Sequence, residues 1–103
     1  MIIELRLPDS IKLDPQSTVD FQAFLQQVVN RYCVGTLRYG KVSKRKRYQT
    51  RLAKEFRAYR KTGNAEQLFN IALYCFLEHQ APENRKFHFD ASVESVTRGE
   101  MGL

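Results

Sequence analysis

The sequence predicts a mostly α fold: an all-α, compact three-helix domain with a short N-terminal extended arm and a partly ordered C-terminal tail. Three observations carry this. Apolar residues recur at spacings of three and four in two long segments, a Thr-Gly-Asn breaker separates the second and third segments, and alternation of the strand type is confined to the first seven residues. The chain has 103 residues, of which 43% are hydrophobic and 27% charged. At this length folding buries roughly two-thirds of the unfolded surface, which suits one domain over 1–103, divided into an arm (1–15), a helical core (16–82) and a tail (83–103).

In the arm, Ile3, Leu5 and Leu7 alternate with Glu4 and Arg6 before Pro8-Asp9-Ser10 interrupts, which reads as a short strand or extended segment. The stretch Pro15-Gln16-Ser17-Thr18 marks a helix start, with Ser17 or Thr18 as the cap and Asp20 in the first turn. Phe21, Phe24, Leu25, Val28, Val29 and Tyr32 then form the apolar stripe of a first helix over about 18–33. Gly35 and Gly40 are expected to end it and open a connection.

A second helix is expected from Ser43 to Lys61, with Tyr48, Leu52, Phe56 and Tyr59 facing inward. Gly63 suits a left-handed C-terminal position and Asn64 an N-cap three residues before Gln67, so a third helix follows over about 65–79. That helix is apolar around more than half its circumference and is expected to be central, touching both others or a second copy. Pro82 stops it. Beyond it Phe87 and Phe89 are placed to pack back on the bundle, and Ser92 to Leu103 reads as mobile.

Charge is distributed unevenly. The net charge is +6, yet residues 38–61 hold eleven basic side chains and one acid, Glu55, a local charge of +10 that leaves −4 for the other 79 residues. Clustered cations raise the local potential and steer phosphates, so the segment points to a polyanion. The candidate phosphate contacts are Arg38, Lys41, Lys44, Arg45, Lys46, Arg47, Arg51 and Lys54. On a continuous helix Lys44, Arg47, Arg51 and Lys54 form one ridge. Tyr39 and Tyr48 flank the run and are candidates for stacking on exposed bases, although a core role for these tyrosines is the competing reading. Neutralising about five phosphates gives a log–log salt slope near −4. No helix-turn-helix, zinc-finger or RNP pattern accompanies the run, so base-specific reading has little support.

Other chemistry is sparse. Cys33 and Cys75 lie in apolar segments without a CxxC element and read as buried thiols. His79, His88 and Glu78 are the only seeds of a metal or acid/base site, and histidines nine positions apart across Pro82 do not form a ligand pair. No GxSxG, Gly-rich phosphate loop or paired carboxylates occur, so no catalytic residue, metal or cofactor is assigned. No apolar run reaches the roughly 18 residues of a membrane span, and the start lacks the build of a signal peptide, which implies a cytoplasmic protein.

Two resemblances follow from the middle of the chain. Arg38-Tyr39-Gly40, the basic helix, Thr62-Gly63-Asn64-Ala65-Glu66-Gln67-Leu68-Phe69-Asn70-Ile71-Ala72-Leu73-Tyr74 and His88-Phe89-Asp90 resemble small helical proteins of prokaryotes and their phages that carry no assigned activity. The resemblance implies a compact intracellular helical protein. The helical frame is also similar to the all-α nucleotide pyrophosphatases of the MazG type, in which acidic pairs on adjacent helices hold magnesium against substrate phosphates. Here the comparable helices offer Glu55, Glu66 and Glu78, with Asn70 where an acid would stand, and the ExxE and ExxD spacings are missing.

The reading that results is non-catalytic binding of nucleic acid, or of a complex containing it, chiefly by phosphate contact. The alternatives are a regulator that docks the basic ridge on an acidic protein partner and a degenerate MazG-like hydrolase. A homo-oligomer through residues 65–79 is a further expectation, because that helix carries more apolar surface than two short neighbours cover.

Overall fold

The computed structural model describes residues 2–8, 12–39 and 47–90, with the side chains of Arg38 and Tyr39 excepted. Among these residues the protein is all-α. Three helices follow one another, α1 (Pro15–Tyr39), α2 (Tyr48–Thr62) and α3 (Glu66–Gln80), and no strand forms. Residues 2–8 have no regular structure, and Ile2, Ile3, Leu5 and Leu7 are exposed.

α1 starts earlier than the sequence suggested. Asp14 is its cap: one carboxylate oxygen accepts the Ser17 N–H at 2.8 Å and the other accepts the Ser17 hydroxyl at 2.7 Å. Pro15 then occupies the first helical position, where its missing N–H costs nothing and its fixed φ is already helical. Ser17 is thus a donor to the cap. Asp20 lies beyond the first turn, where it accepts a hydrogen bond from Gln16 Nε2 at 2.9 Å. The helix also continues through Gly35 to Tyr39. Gly35 ends nothing because its backbone stays right-handed, and the Thr36 hydroxyl donates to the Tyr32 carbonyl at 3.0 Å within an unbroken ladder.

α2 and α3 form a helical hairpin. Gly63 has φ 68°, the left-handed conformation expected of it, and its N–H donates to the Tyr59 carbonyl at 2.8 Å. Asn64 Oδ1 then accepts the Glu66 N–H at 3.0 Å, one residue earlier than a standard capping box, because Ala65 is already in helical conformation. The Thr62 hydroxyl reaches Gln67 Oε1 at 2.7 Å and ties the two helices across the turn. Ala81 leaves the helical region at φ −141°, ψ 76°, as the residue before Pro82 must, and α3 stops at Gln80.

α3 is the central helix: it touches both α1 and α2, and among the described residues α1 and α2 make no contact with one another. Against α1, Phe24 meets Phe69 at 5.2 Å between ring centroids, and Tyr32 meets Phe76 edge-on at 5.5 Å. Arg31 lies over the Phe69 ring at 5.0 Å and pairs with Glu66 at 3.7 Å. Against α2 the two most buried side chains of the described residues, Tyr48 and Leu77, close the open end of the hairpin. Phe56 does not join them. It is 54% exposed, because the inward line of α2 runs Tyr48, Leu52, Glu55 and Tyr59, and Phe56 lies on its flank.

The chain after Pro82 folds back on α3. Glu78 Oε1 accepts the N–H groups of Glu83 and Asn84 at 3.0 and 3.2 Å, and Phe87 meets His79 at 5.8 Å. Phe89, by contrast, is 88% exposed. Residues 91–103, read from sequence as mobile beyond Ser92, lie outside the described residues.

Candidate nucleic-acid interface

The basic segment divides at Arg47. That residue has φ 84°, ψ 32°, so it is left-handed and cannot continue a helix, and α2 begins only at Tyr48. A helical ridge running from Lys44 through Arg47 is therefore broken at its second member. Lys41, Lys44, Arg45, Lys46 and the start expected at Ser43 lie outside the described residues, as do the side chains of Arg38 and Tyr39; positions 38 and 39 form the end of α1.

Within α2 the cations separate into two groups. Arg51 is half-buried at the seam with α3, its guanidinium 5.9 Å from the centre of the Tyr74 ring, so part of its charge is held against an aromatic face. Lys54, Arg57 and Lys61 are exposed and recur at spacings of three and four, which puts them on one side of α2, turned away from α3, with Arg60 also exposed on the helix and Arg47 exposed at its N-terminal end. From residue 47 to 61 they span about 21 Å, the rise of roughly six base pairs of duplex. Arg57 and Lys61 were not among the candidates singled out from sequence. The signal for them was present in the same spacing that placed Lys54.

These charges have little to relieve them. Among the described residues one ion pair forms, Arg31 with Glu66, and no carboxylate lies within salt-bridge distance of any α2 cation. Glu55, the single acid on α2, is half-buried and lies off the line of Lys54, Arg57 and Lys61. A solvated helix usually interleaves signs at i and i+4; here Arg57 and Lys61 are like charges at that spacing, which costs a few tenths of a kcal/mol and relaxes when an anion approaches.

Tyr48 is not available for stacking. It is 3% exposed, and burial raises its pKa above the ordinary 10.0 despite the opposing pull of Arg51. The ring serves the core, which is the competing reading of that tyrosine. The cysteines depart from expectation in the opposite sense: Cys33 and Cys75 are both free and exposed, since neither falls on the lines where α1 and α3 meet.

The acidic residues are dispersed. Glu66 opens α3 and pairs with Arg31, while Glu78 ends the same helix about 18 Å away and caps the turn that follows. Glu78 Oε2 and Glu83 Oε1 are enclosed without a hydrogen-bond partner, close enough to Tyr48 to reinforce its raised pKa. Among the described residues no three His, Cys, Asp or Glu side chains gather as metal ligands would. Asp14, whose carboxyl the Ser17 hydroxyl and N–H hold below the usual range, is a helix cap.

No helix of the described residues is long and apolar enough to cross a membrane. The chain matches no family model, no curated protein and no solved structure.

Proposed function

We propose that this protein binds nucleic acid, or a complex that contains it, non-catalytically through the exposed side of α2 and the basic segment that leads into it. One observation carries the reading: Lys54, Arg57 and Lys61 lie on one exposed side of α2, Arg47 is exposed at its N-terminal end, and no carboxylate pairs with them among the described residues. A row of lysines and arginines some 21 Å long meets phosphates by charge and hydrogen bonds, which position a backbone without reading bases. Binding is therefore sequence-tolerant and steeply salt-dependent. With Tyr48 in the core, the described part of the surface contributes phosphate contact alone.

The test compares two triple variants of equal charge change. Lys54→Glu/Arg57→Glu/Lys61→Glu reverses the α2 row, whereas Lys12→Glu/Arg85→Glu/Lys86→Glu reverses three exposed cations elsewhere. Fluorescence anisotropy with labelled single-stranded and duplex DNA and RNA reads both. Loss of binding in the first variant and not in the second supports the row as the contact surface. Equal loss in both reduces the effect to net charge. Absence of binding by the unaltered protein at low salt redirects the search to an acidic protein surface, the alternative partner of the same row.

A further inference from the structure

Residues 2–8 have the composition of a strand and, within one chain, nothing to pair with. On an extended backbone Ile3, Leu5 and Leu7 fall on one side and Glu4 and Arg6 on the other. The three apolar side chains are 68%, 70% and 53% exposed, no residue of the segment has a positive φ, and none makes a backbone hydrogen bond to another described residue. Glu4 and Arg6 have no ion-pair partner among the described residues. A strand without a neighbour leaves its backbone to water and its apolar side open, so the alternation yields no strand in a single chain.

The segment is complementary to itself in one register. When two antiparallel strands are related by a two-fold axis between their Leu5 residues, Leu5 faces Leu5, Ile3 faces Leu7, and Glu4 of one copy faces Arg6 of the other. Both charge pairs are then attractive, and Ile3, Leu5 and Leu7 of the two strands share one face. The neighbouring registers fail. A slip of one residue sets Glu4 against Leu5 or Leu7 and Arg6 against Ile3 or Leu5, which mixes charged and apolar side chains on each face. A slip of two sets Glu4 against Glu4 or Arg6 against Arg6, and parallel strands in register do both. Pro8 fits the same register. It faces Ile2, and with Leu5 in a hydrogen-bonded pair the alternation makes Ile2 and Pro8 a non-hydrogen-bonded pair, where proline's missing N–H costs nothing. Glu4 and Arg6 then also stand at the closer of the two cross-strand spacings.

We infer that the arms of two copies of this chain pair antiparallel about Leu5 as a two-stranded ribbon. The occupant is a second copy because the charge complement of Glu4 and Arg6 lies within the segment itself. A two-stranded ribbon needs a surface under its apolar face, and each chain supplies one. Phe21, Phe24 and Leu25 share one side of the N-terminal half of α1 and remain exposed. Leu7 lies at most about 24 Å of chain from the Asp14 cap, and Phe21 is about 9 Å along α1 from Pro15, so the ribbon reaches that patch. The two-fold axis is perpendicular to the ribbon, so both copies of the patch meet the same apolar face. The contact differs from the one expected on residues 65–79, where α1 and α2 already line two sides of α3.

The test is sedimentation equilibrium of the full, nucleic-acid-free chain up to high micromolar concentration at about 0.1 M salt, where close charge pairs are only partly screened. Glu4→Arg and Arg6→Glu change the net charge in opposite directions, yet each sets like charges against one another across the ribbon; both positions are exposed. The inference requires the unaltered chain to dimerise and each single variant to dissociate at least about ten-fold more readily, with unchanged helical circular dichroism. The double variant Glu4→Arg/Arg6→Glu should recover the parent's affinity, and an equimolar mixture of the two single variants should dimerise better than either alone. A monomeric unaltered chain overturns the inference. So does a dimer that the single variants leave intact, or a loss that the double variant and the mixture do not both reverse.

Discussion

Replacing Tyr48 separates the two roles a tyrosine beside a basic run can have. The side chain is 3% exposed, so folding removes nearly all of its surface from water. An aromatic ring of roughly 200 Å² at about 25 cal/mol per Å² gives an upper limit near 5 kcal/mol, and large-to-small aromatic substitutions in cores cost about 3–5 kcal/mol. Tyr48→Ala should therefore remove a large part of a stability that for a domain of this size is about 5–15 kcal/mol. Tyr48→Phe keeps the ring and should change stability by no more than about 1.5 kcal/mol.

Urea unfolding followed by circular dichroism measures both. A pH series adds a check of sign. Because burial raises the Tyr48 pKa above 10.0, the folded chain holds the phenol proton where the unfolded chain has begun to lose it. The associated stability is complete below pH 10 and is lost as pH rises through the raised value. Tyr48→Phe should abolish that part of the alkaline loss. A Tyr48→Ala variant as stable as the parent to within about 1 kcal/mol refutes the core assignment. So does a Tyr48→Phe or Tyr48→Ala variant that loses nucleic-acid affinity while retaining its stability.

Three backbone features give further expectations. Gly63→Ala forces a Cβ onto a residue at φ 68° and should lower the urea midpoint by the equivalent of about 1–2 kcal/mol, with Gly63→Asn less affected. Gly35→Ala should do the reverse, raising stability by about 0.5–1 kcal/mol, since Gly35 is inside α1 and an added Cβ meets nothing within 4 Å. Asp14→Ala should speed hydrogen exchange at the Ser17 amide and the first turn of α1 without altering α3. Acidification should act the same way as pH falls through the lowered Asp14 pKa, because the cap requires the ionised carboxylate.

What the sequence disclosed depended on how strongly single residues punctuate the backbone. The α2–α3 turn was legible because Gly63 is the residue that tolerates φ 68°, and the end of α3 was legible because Pro82 restricts Ala81. The limits of α1 were misread for the same kind of reason. Gly35 permits a helix end without requiring one, and Ser17 and Thr18 carry the same capping preference as Asp14, which is the cap. The apolar neighbours of Cys33 and Cys75 in sequence suggest a core position, but burial is set by the lines along which helices meet, and both are exposed.

The basic segment shows both outcomes at once. Its net charge was plain from composition, and Arg51 and Lys54 stand on α2 as expected. Whether one helix joined Lys44 to Arg47 rested on a backbone angle that no local residue type announces, since a left-handed arginine is uncommon. Helix phase alone adds Arg57 and Lys61, because their spacings of three and seven from Lys54 hold wherever the helix starts.

The most direct test of the phosphate-binding reading is the slope of log affinity against log salt concentration for the unaltered chain and for Lys54→Ala/Arg57→Ala/Lys61→Ala. Each phosphate contact with duplex contributes about −0.9 to the slope, so removal of Lys54, Arg57 and Lys61 should make it shallower by about 2.7. A slope that is the same in both proteins, or near zero in the unaltered chain, contradicts the assignment of α2 as the phosphate-contact surface.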